Sequence, residues 1–221
     1  MQTGWKTRIE AASQPTPALP ALADASQMIE TGLVAGTCVG TPMGWRPVQS
    51  LKAGDLVLTF DNGMQPVAQV SSGRLWTSAD HCPQELWPLH VPVGALDNVT
   101  PLTLLSNACV MLESDLAEEL YDDPFAMIPA RALNGTRQIR AQAPTEPLEI
   151  VTLHFAVDQV LFVNGSALVF CLAHDTHQPA LIEDVIFGGA ETAYGTLPET
   201  EMQAVIDDLQ HVIPESRAEE P

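Results

Sequence analysis

Only nine of the 221 residues are lysine or arginine, against 28 aspartates and glutamates, and the formal net charge is −19. A protein that grips a nucleic-acid backbone replaces counterions with its own Lys and Arg, so this balance argues against direct phosphate binding, and no nucleic-acid partner is expected. The same charge favours solubility and suits a partner bearing basic groups. No apolar run approaches the roughly 18–20 residues that span a bilayer, and no membrane association is expected. Near the N-terminus Lys6 and Arg8 precede Ala21–Met28, but Asp24 interrupts that stretch and it is not the apolar core of a secretory signal. The default address is therefore cytoplasmic, with non-classical secretion left open. Cysteines number four, Cys38, Cys82, Cys109 and Cys171, too few and too scattered for a disulfide framework. There is no CxxC pair for a structural zinc, so four reduced thiols are expected, mostly buried as small apolar residues. His81-Cys82 and His90 offer ligand types without a regular spacing. P-loop, GxSxG, HExxH and dinucleotide fingerprints are all missing, so no cofactor and no metal is expected.

What is present is enough apolar material, 46% of the chain, to build a sizeable core. Residues 1–30 are rich in Ala and Pro, with Pro15, Pro17 and Pro20 breaking any helix, and form a first segment, an arm. From Gly36 to Leu172 the texture is of short strands. Leu56–Phe60 runs into Asp61-Asn62-Gly63, and Asn-Gly is a strong hairpin signal because both residues tolerate positive φ. Gln65–Val70 would return. Leu75–Trp76, Leu86–Val93, Pro101–Leu105 and Val110–Leu112 read as further strands, with Ile150–Phe155 and Gln159–Val163 as the last pair. A short helix is expected over Asp115–Tyr121, with Asp115 as N-cap, Glu118 at capping-box spacing and Pro124 as the stop. A second should cover Glu199–Val212, where Met202, Val205, Ile206 and Leu209 share one face. From His174 onward eleven acidic side chains, Asp175 to Glu220, stand against Arg217 alone. Three segments follow: the arm, a β domain over 31–173, and an acidic C-terminal segment over 174–221 with one helix, the place where a protein partner would be recruited.

Four blocks resemble, in order, those of the Hint domain, the fold shared by Hedgehog autoprocessing domains, inteins and bacterial intein-like domains. The first runs from Gly32 through Gly36-Thr37, Val39, Thr41, Gly44, Val48 and Leu51 to Gly54-Asp55, Val57 and Thr59. The second is Pro101–Leu112, preceded by Val91–Asn98. The third is Pro124–Leu133, and the fourth spans Val151–Phe155 and Val160–Gly165. The resemblance covers residues 31–173 and implies a compact, highly twisted and curved mainly β fold, with a short inserted helix and a C-terminal helix outside it.

The resemblance also implies which positions should do chemistry. In that family a Cys or Ser four residues before the Gly-Thr pair attacks the preceding carbonyl, and an imidazole protonates the departing amide nitrogen. Here the nucleophile position is Gly32 and the His position is Cys109, which cannot serve as a cationic acid at neutral pH. Intein chemistry ends on His-Asn, and Ala167–Cys171 holds neither. Cys38 lies six residues beyond the nucleophile position, and Asp158 is the one family-like carboxylate in the last block. Two readings follow. One is a Hint fold without autoprocessing, serving as a binding or structural module. The other is a residual thiol-dependent autoproteolytic domain with Cys38 as nucleophile and Asp158, or a neighbouring His, as proton donor. Three further groups have bland readings. Cys38, Cys109 and Cys171 are expected to be separate thiols, Glu118, Glu119, Asp122 and Asp123 a solvated helix face, and Trp45, Trp76 and Trp87 core or edge packing.

Overall fold

A computed structural model describes residues 32–75, 82–171, 173 and 197–211. The arm, Trp76, His81 and most of the acidic segment lie outside them. Among the described residues the chain forms three antiparallel sheets and two α-helices. The first sheet has the order β1 (Leu33–Val34), β12 (Leu148–His154), β6 (Gln69–Leu75). The second runs β10 (Phe125–Pro129), β9 (Cys109–Glu113), β14 (Ala167–Cys171), β13 (Gln159–Val163), β2 (Cys38–Thr41), β3 (Gly44–Pro47). To it are added β4 (Leu56–Thr59), paired with β13, and β5 (Gly63–Pro66), paired with β4. The third is β11 (Arg140–Ala141), β7 (Leu89–Val91), β8 (Leu102–Leu104). The mainly β expectation holds.

Local chemistry sets the hairpins. The β4–β5 turn closes at Thr59 and Gly63, with Thr59 Oγ1 donating to Gly63 O at 2.8 Å and accepting from Asn62 N at 3.3 Å. Only Gly63 adopts a left-handed φ, 62°, so the turn is longer than the two-residue type that Asn-Gly suggests. The hairpin β13–β14 turns through Asn164 (φ 46°) and Gly165 (φ 115°). A Cβ at position 165 would stand 3.0 Å from Val99 N, so the close backbone approach there requires glycine.

Strand positions are legible only in part: β1, β2, β3, β10, β11 and β14 carry no expected strand, and the expected Gln65–Val70 straddles the end of β5 and the start of β6. Ile150–Phe155 and Gln159–Val163 are not a pair, because β12 lies between β1 and β6 while β13 pairs with β14, β2 and β4. The expected Leu86–Val93 strand shrinks to β7, preceded by a 3₁₀ turn at Gln84–Leu86. The first helix, α1, spans Asp115–Tyr121 as expected, but its cap is Ser114, whose hydroxyl accepts from Ala117 N at 3.3 Å. Asp115 is the first helical residue instead. α1 ends at Asp122 in the left-handed conformation, and Glu118, Glu119, Asp122 and Asp123 are exposed.

One cluster of buried side chains joins the sheets, including Val39, Val57, Leu102, Val110, Ile128, Leu153, Leu161 and Val169. The second helix, α2 (Glu199–His211), closes over it: Val205, Ile206 and Leu209 belong to that cluster and Met202 packs against it. Arg137, held at φ 45° in a 3₁₀ turn, donates from Nε to Leu209 O at 3.1 Å and from Nη1 to Ala95 O at 3.3 Å. A cation at a helix C-terminus meets the negative end of the dipole. No helix among the described residues is long and apolar enough to cross a membrane.

Candidate functional site

Gly32 stands just before β1 and is buried. The β1–β12 register pairs Leu33 with Val151 and Val34 with Ile150, and one step further sets Gly32 opposite Thr152. β6 completes the row, pairing Ser71 with Thr152. Paired residues and those two apart along a strand share a face. One face therefore carries Gly32, Val34, Ile150, Thr152, His154, Ser71, Gly73 and Leu75. Val34, Ile150, Leu75 and Leu148 pack there with Leu105 and Ala108, making an apolar end. The other end is polar. His154, 6% exposed, holds its Nε2 2.8 Å from the hydroxyl of half-buried Ser71. Thr152 Oγ1 is buried with no hydrogen-bond partner among the described residues, as is Ser106 Oγ.

The other positions disperse. Cys109 opens β9 and packs against the cluster of Met111, Met127 and Val160, while its chain neighbour Ala108 lies in the cluster with Ile150 and Leu75. Cys38 starts β2, its N–H donating to Asn164 Oδ1 at 2.7 Å and its thiol 3.7 Å from Gly36 O. Asp158 sits between β12 and β13 and accepts from Ala173 N at 2.7 Å, so its carboxylate ties down the chain after β14. Cys171 is fully buried on β14, and desolvation pushes its thiol up to about 12. Cys82 is also raised, by burial first and then by Glu85. None of the four cysteines is in a disulfide, and among the described residues no group of three or more His, Cys, Asp or Glu is placed to hold a metal. His90 is exposed on β7. Trp45 is 47% exposed beside a hairpin turn and Trp87 donates Nε1 to Cys82 O at 3.3 Å. Sequence reasoning missed the Ser71–His154 contact. Its partners are 83 residues apart, and the one local signal was a histidine inside the apolar strand Val151–Phe155.

With this geometry in hand, a family model described as "Hint domain" matches residues 31–168. Among solved structures the chain is similar to a bacterial intein-like domain from Clostridium thermocellum, at 15% identity and a TM-score of 0.44, covering 63% of this chain and 98% of that one. It is also similar to the AceL NrdHF class 3 split intein, in a splice-inactive variant, at 13% identity and a TM-score of 0.41, covering 66% and 100%. For the gp41-1 intein the values are 13% and 0.40, covering 62% and 96%. No curated protein matches.

Proposed function

This chain belongs to the Hint-domain family, and we propose that it is a member without autoprocessing activity, acting as a binding or structural module. The observation that carries this reading is Gly32, buried at the entry to β1 with no side chain to attack a carbonyl. Nothing along the strand compensates, because the facing groups on β12 and β6 are Thr152 and Ser71, and neither lies in the chain beside the peptide entering residue 32. The acidic segment 174–221 is, on this reading, the surface offered to a partner carrying basic groups; the excess of acid over base there supports it.

The rival reading, cleavage at Thr37-Cys38, meets a chemical obstacle. Attack by the Cys38 thiol on the Thr37 carbonyl would require a proton on the departing Cys38 nitrogen. That N–H donates to Asn164 Oδ1 at 2.7 Å, an acceptor with no proton to give. Asp158 is occupied by Ala173 N. The test is intact mass spectrometry of the purified chain after incubation with a strong thiol or hydroxylamine. One unchanged species is expected, and a fragment beginning at Cys38 would promote the autoproteolytic reading in its place.

A further inference from the structure

We propose that Ser71, with His154 as its base, is a nucleophile that accepts acyl groups from small apolar esters, an activity separate from peptide self-cleavage. Three observations converge on one face of the β1–β12–β6 sheet. The Ser71 hydroxyl and His154 Nε2 are 2.8 Å apart, within the reach a general base needs. Ser71 is half-buried on an outer strand of the sheet, while His154 is buried behind it. Thr152, directly across from Ser71, is 3% exposed, and its hydroxyl has no partner among the described residues. A buried hydroxyl left unpaired costs about 1–3 kcal/mol, which a bound carbonyl oxygen would recover. Two positions on this face, Gly32 and Gly73, carry no side chain, and the apolar end begins at Val34, Ile150 and Leu75. That apolar end is packed core, with Ile150 and Leu75 against Leu105 and Ala108, and it closes one side of the polar group.

The chemistry balances within these residues. Ser71 Oγ bonds to the ester carbonyl carbon as its proton passes to His154 Nε2, and Thr152 Oγ1 donates to the carbonyl oxygen as charge develops there. The bond to the leaving alkoxide then breaks, and that oxygen takes the proton from His154. Water, deprotonated by the same imidazole, releases the acid and regenerates the serine.

The full-length protein is treated with p-nitrophenyl butyrate and, separately, with a fluorophosphonate, and adducts are mapped by peptide mass spectrometry. An adduct on Ser71 is expected, absent in Ser71→Ala and in protein unfolded in urea. The labelling rate should fall in acid as the imidazole takes a proton. His154→Gln should slow it by about 100-fold or more. Thr152→Val should slow it on the order of 100-fold while leaving thermal stability equal or higher, a combination that a purely structural threonine would not give. Should His154→Gln fail to fold, the acid limb of the wild-type profile reads the same group. No adduct at Ser71, labelling no faster than in the unfolded chain, or a rate indifferent to pH would each overturn the proposal. None of these outcomes bears on self-cleavage, which is read from the mass of the untreated chain.

Discussion

Cys171 shows what burial alone does to one residue. It has no exposed surface, and removal from water disfavours the thiolate, raising the thiol from its ordinary value of 9.0 to about 12. Above pH 9 the unfolded chain releases this proton while the folded chain keeps it, so the unfolded state binds fewer protons and stability must fall with pH. The contribution is complete below pH 9 and is lost as pH rises towards 12, with a slope of up to about 1.4 kcal/mol per pH unit. Thermal melts of wild type and Cys171→Ala between pH 7 and 11 should therefore converge as pH rises. Cys82 titrates in both proteins and cancels. Parallel curves would show that the thiolate is tolerated inside β14. Composition alone predicted reduced, mostly buried thiols, and Cys82 and Cys171 are buried while Cys38 and Cys109 are only partly so. Which ones lie deep depends on strand faces and could not be read from spacing. The same holds for the polar face: Gly32 was found through its place before Gly36-Thr37, whereas Ser71, Thr152 and His154 meet only because β6 pairs with β12.

Between elements, the turn at Asn164 does the joining. Its N–H donates to Cys38 O at 2.8 Å and its carbonyl accepts from Val99 N at 2.7 Å. Its carboxamide accepts from Cys38 N at 2.7 Å and donates to Pro101 O at 2.8 Å. One asparagine thus ties the β13–β14 hairpin to the start of β2 and to the segment leading into β8. Asn164→Ala would leave two groups unpaired, each costing about 1–3 kcal/mol, and would hold alanine at φ 46° for about 1 kcal/mol more. Urea unfolding should show a loss of about 3–7 kcal/mol, with Asn164→Gly about 1 kcal/mol less damaging because the backbone term disappears. A loss below about 1 kcal/mol would mean that water replaces the carboxamide and the turn is not a tie. Elements of this kind explain what the sequence conveyed. β4, β8, β12 and β13 are located to within a few residues, whereas β2, β3 and β14 are not marked as strands. β10 falls within the third block, Pro124–Leu133, and is not marked as a strand, since four of its five residues are buried and the alternation that marks a half-exposed strand is lost. β12 and β13 follow one another in the chain yet enter different sheets, and nothing in a run of apolar residues specifies its neighbour. The cap of α1 slipped by one residue because Ser114 and Asp115 both suit the role. The buried Ser114 hydroxyl takes it, while Asp115 remains exposed in the first turn.

At the scale of the whole molecule two forces act on the C-terminal segment. Its acidic side chains repel one another and the rest of a chain of charge −19, which destabilises the compact form at low salt. Against this, α2 places Val205, Ile206 and Leu209 in the main buried cluster and receives Arg137 at its C-terminal end. Burying one such side chain stabilises by about 1.5–3 kcal/mol. Three of them bring about 4.5–9 kcal/mol, against which the entropy of ordering the helix is set. The repulsion is screened within about 10 Å at 0.1 M salt, so the buried contacts win. A boundary at residue 173 follows from where the family-like strands end, but the core extends past it. A chain ending at 173 should melt roughly 10–20 °C below the full protein at 0.1 M salt, since 1 kcal/mol corresponds to about 2–4 °C at this size. Replacing Leu209 by Ala in the full chain should reproduce part of that loss, about 2–4 kcal/mol. Adding 0.5 M salt should raise the melting temperature of the full chain, and raise that of the truncated chain less, because truncation has already removed much of the repulsion. If truncation costs only a few degrees, the helix is an appended module whose apolar face contributes little. If both chains respond equally to salt, the repulsion lies in the β domain and not in the tail.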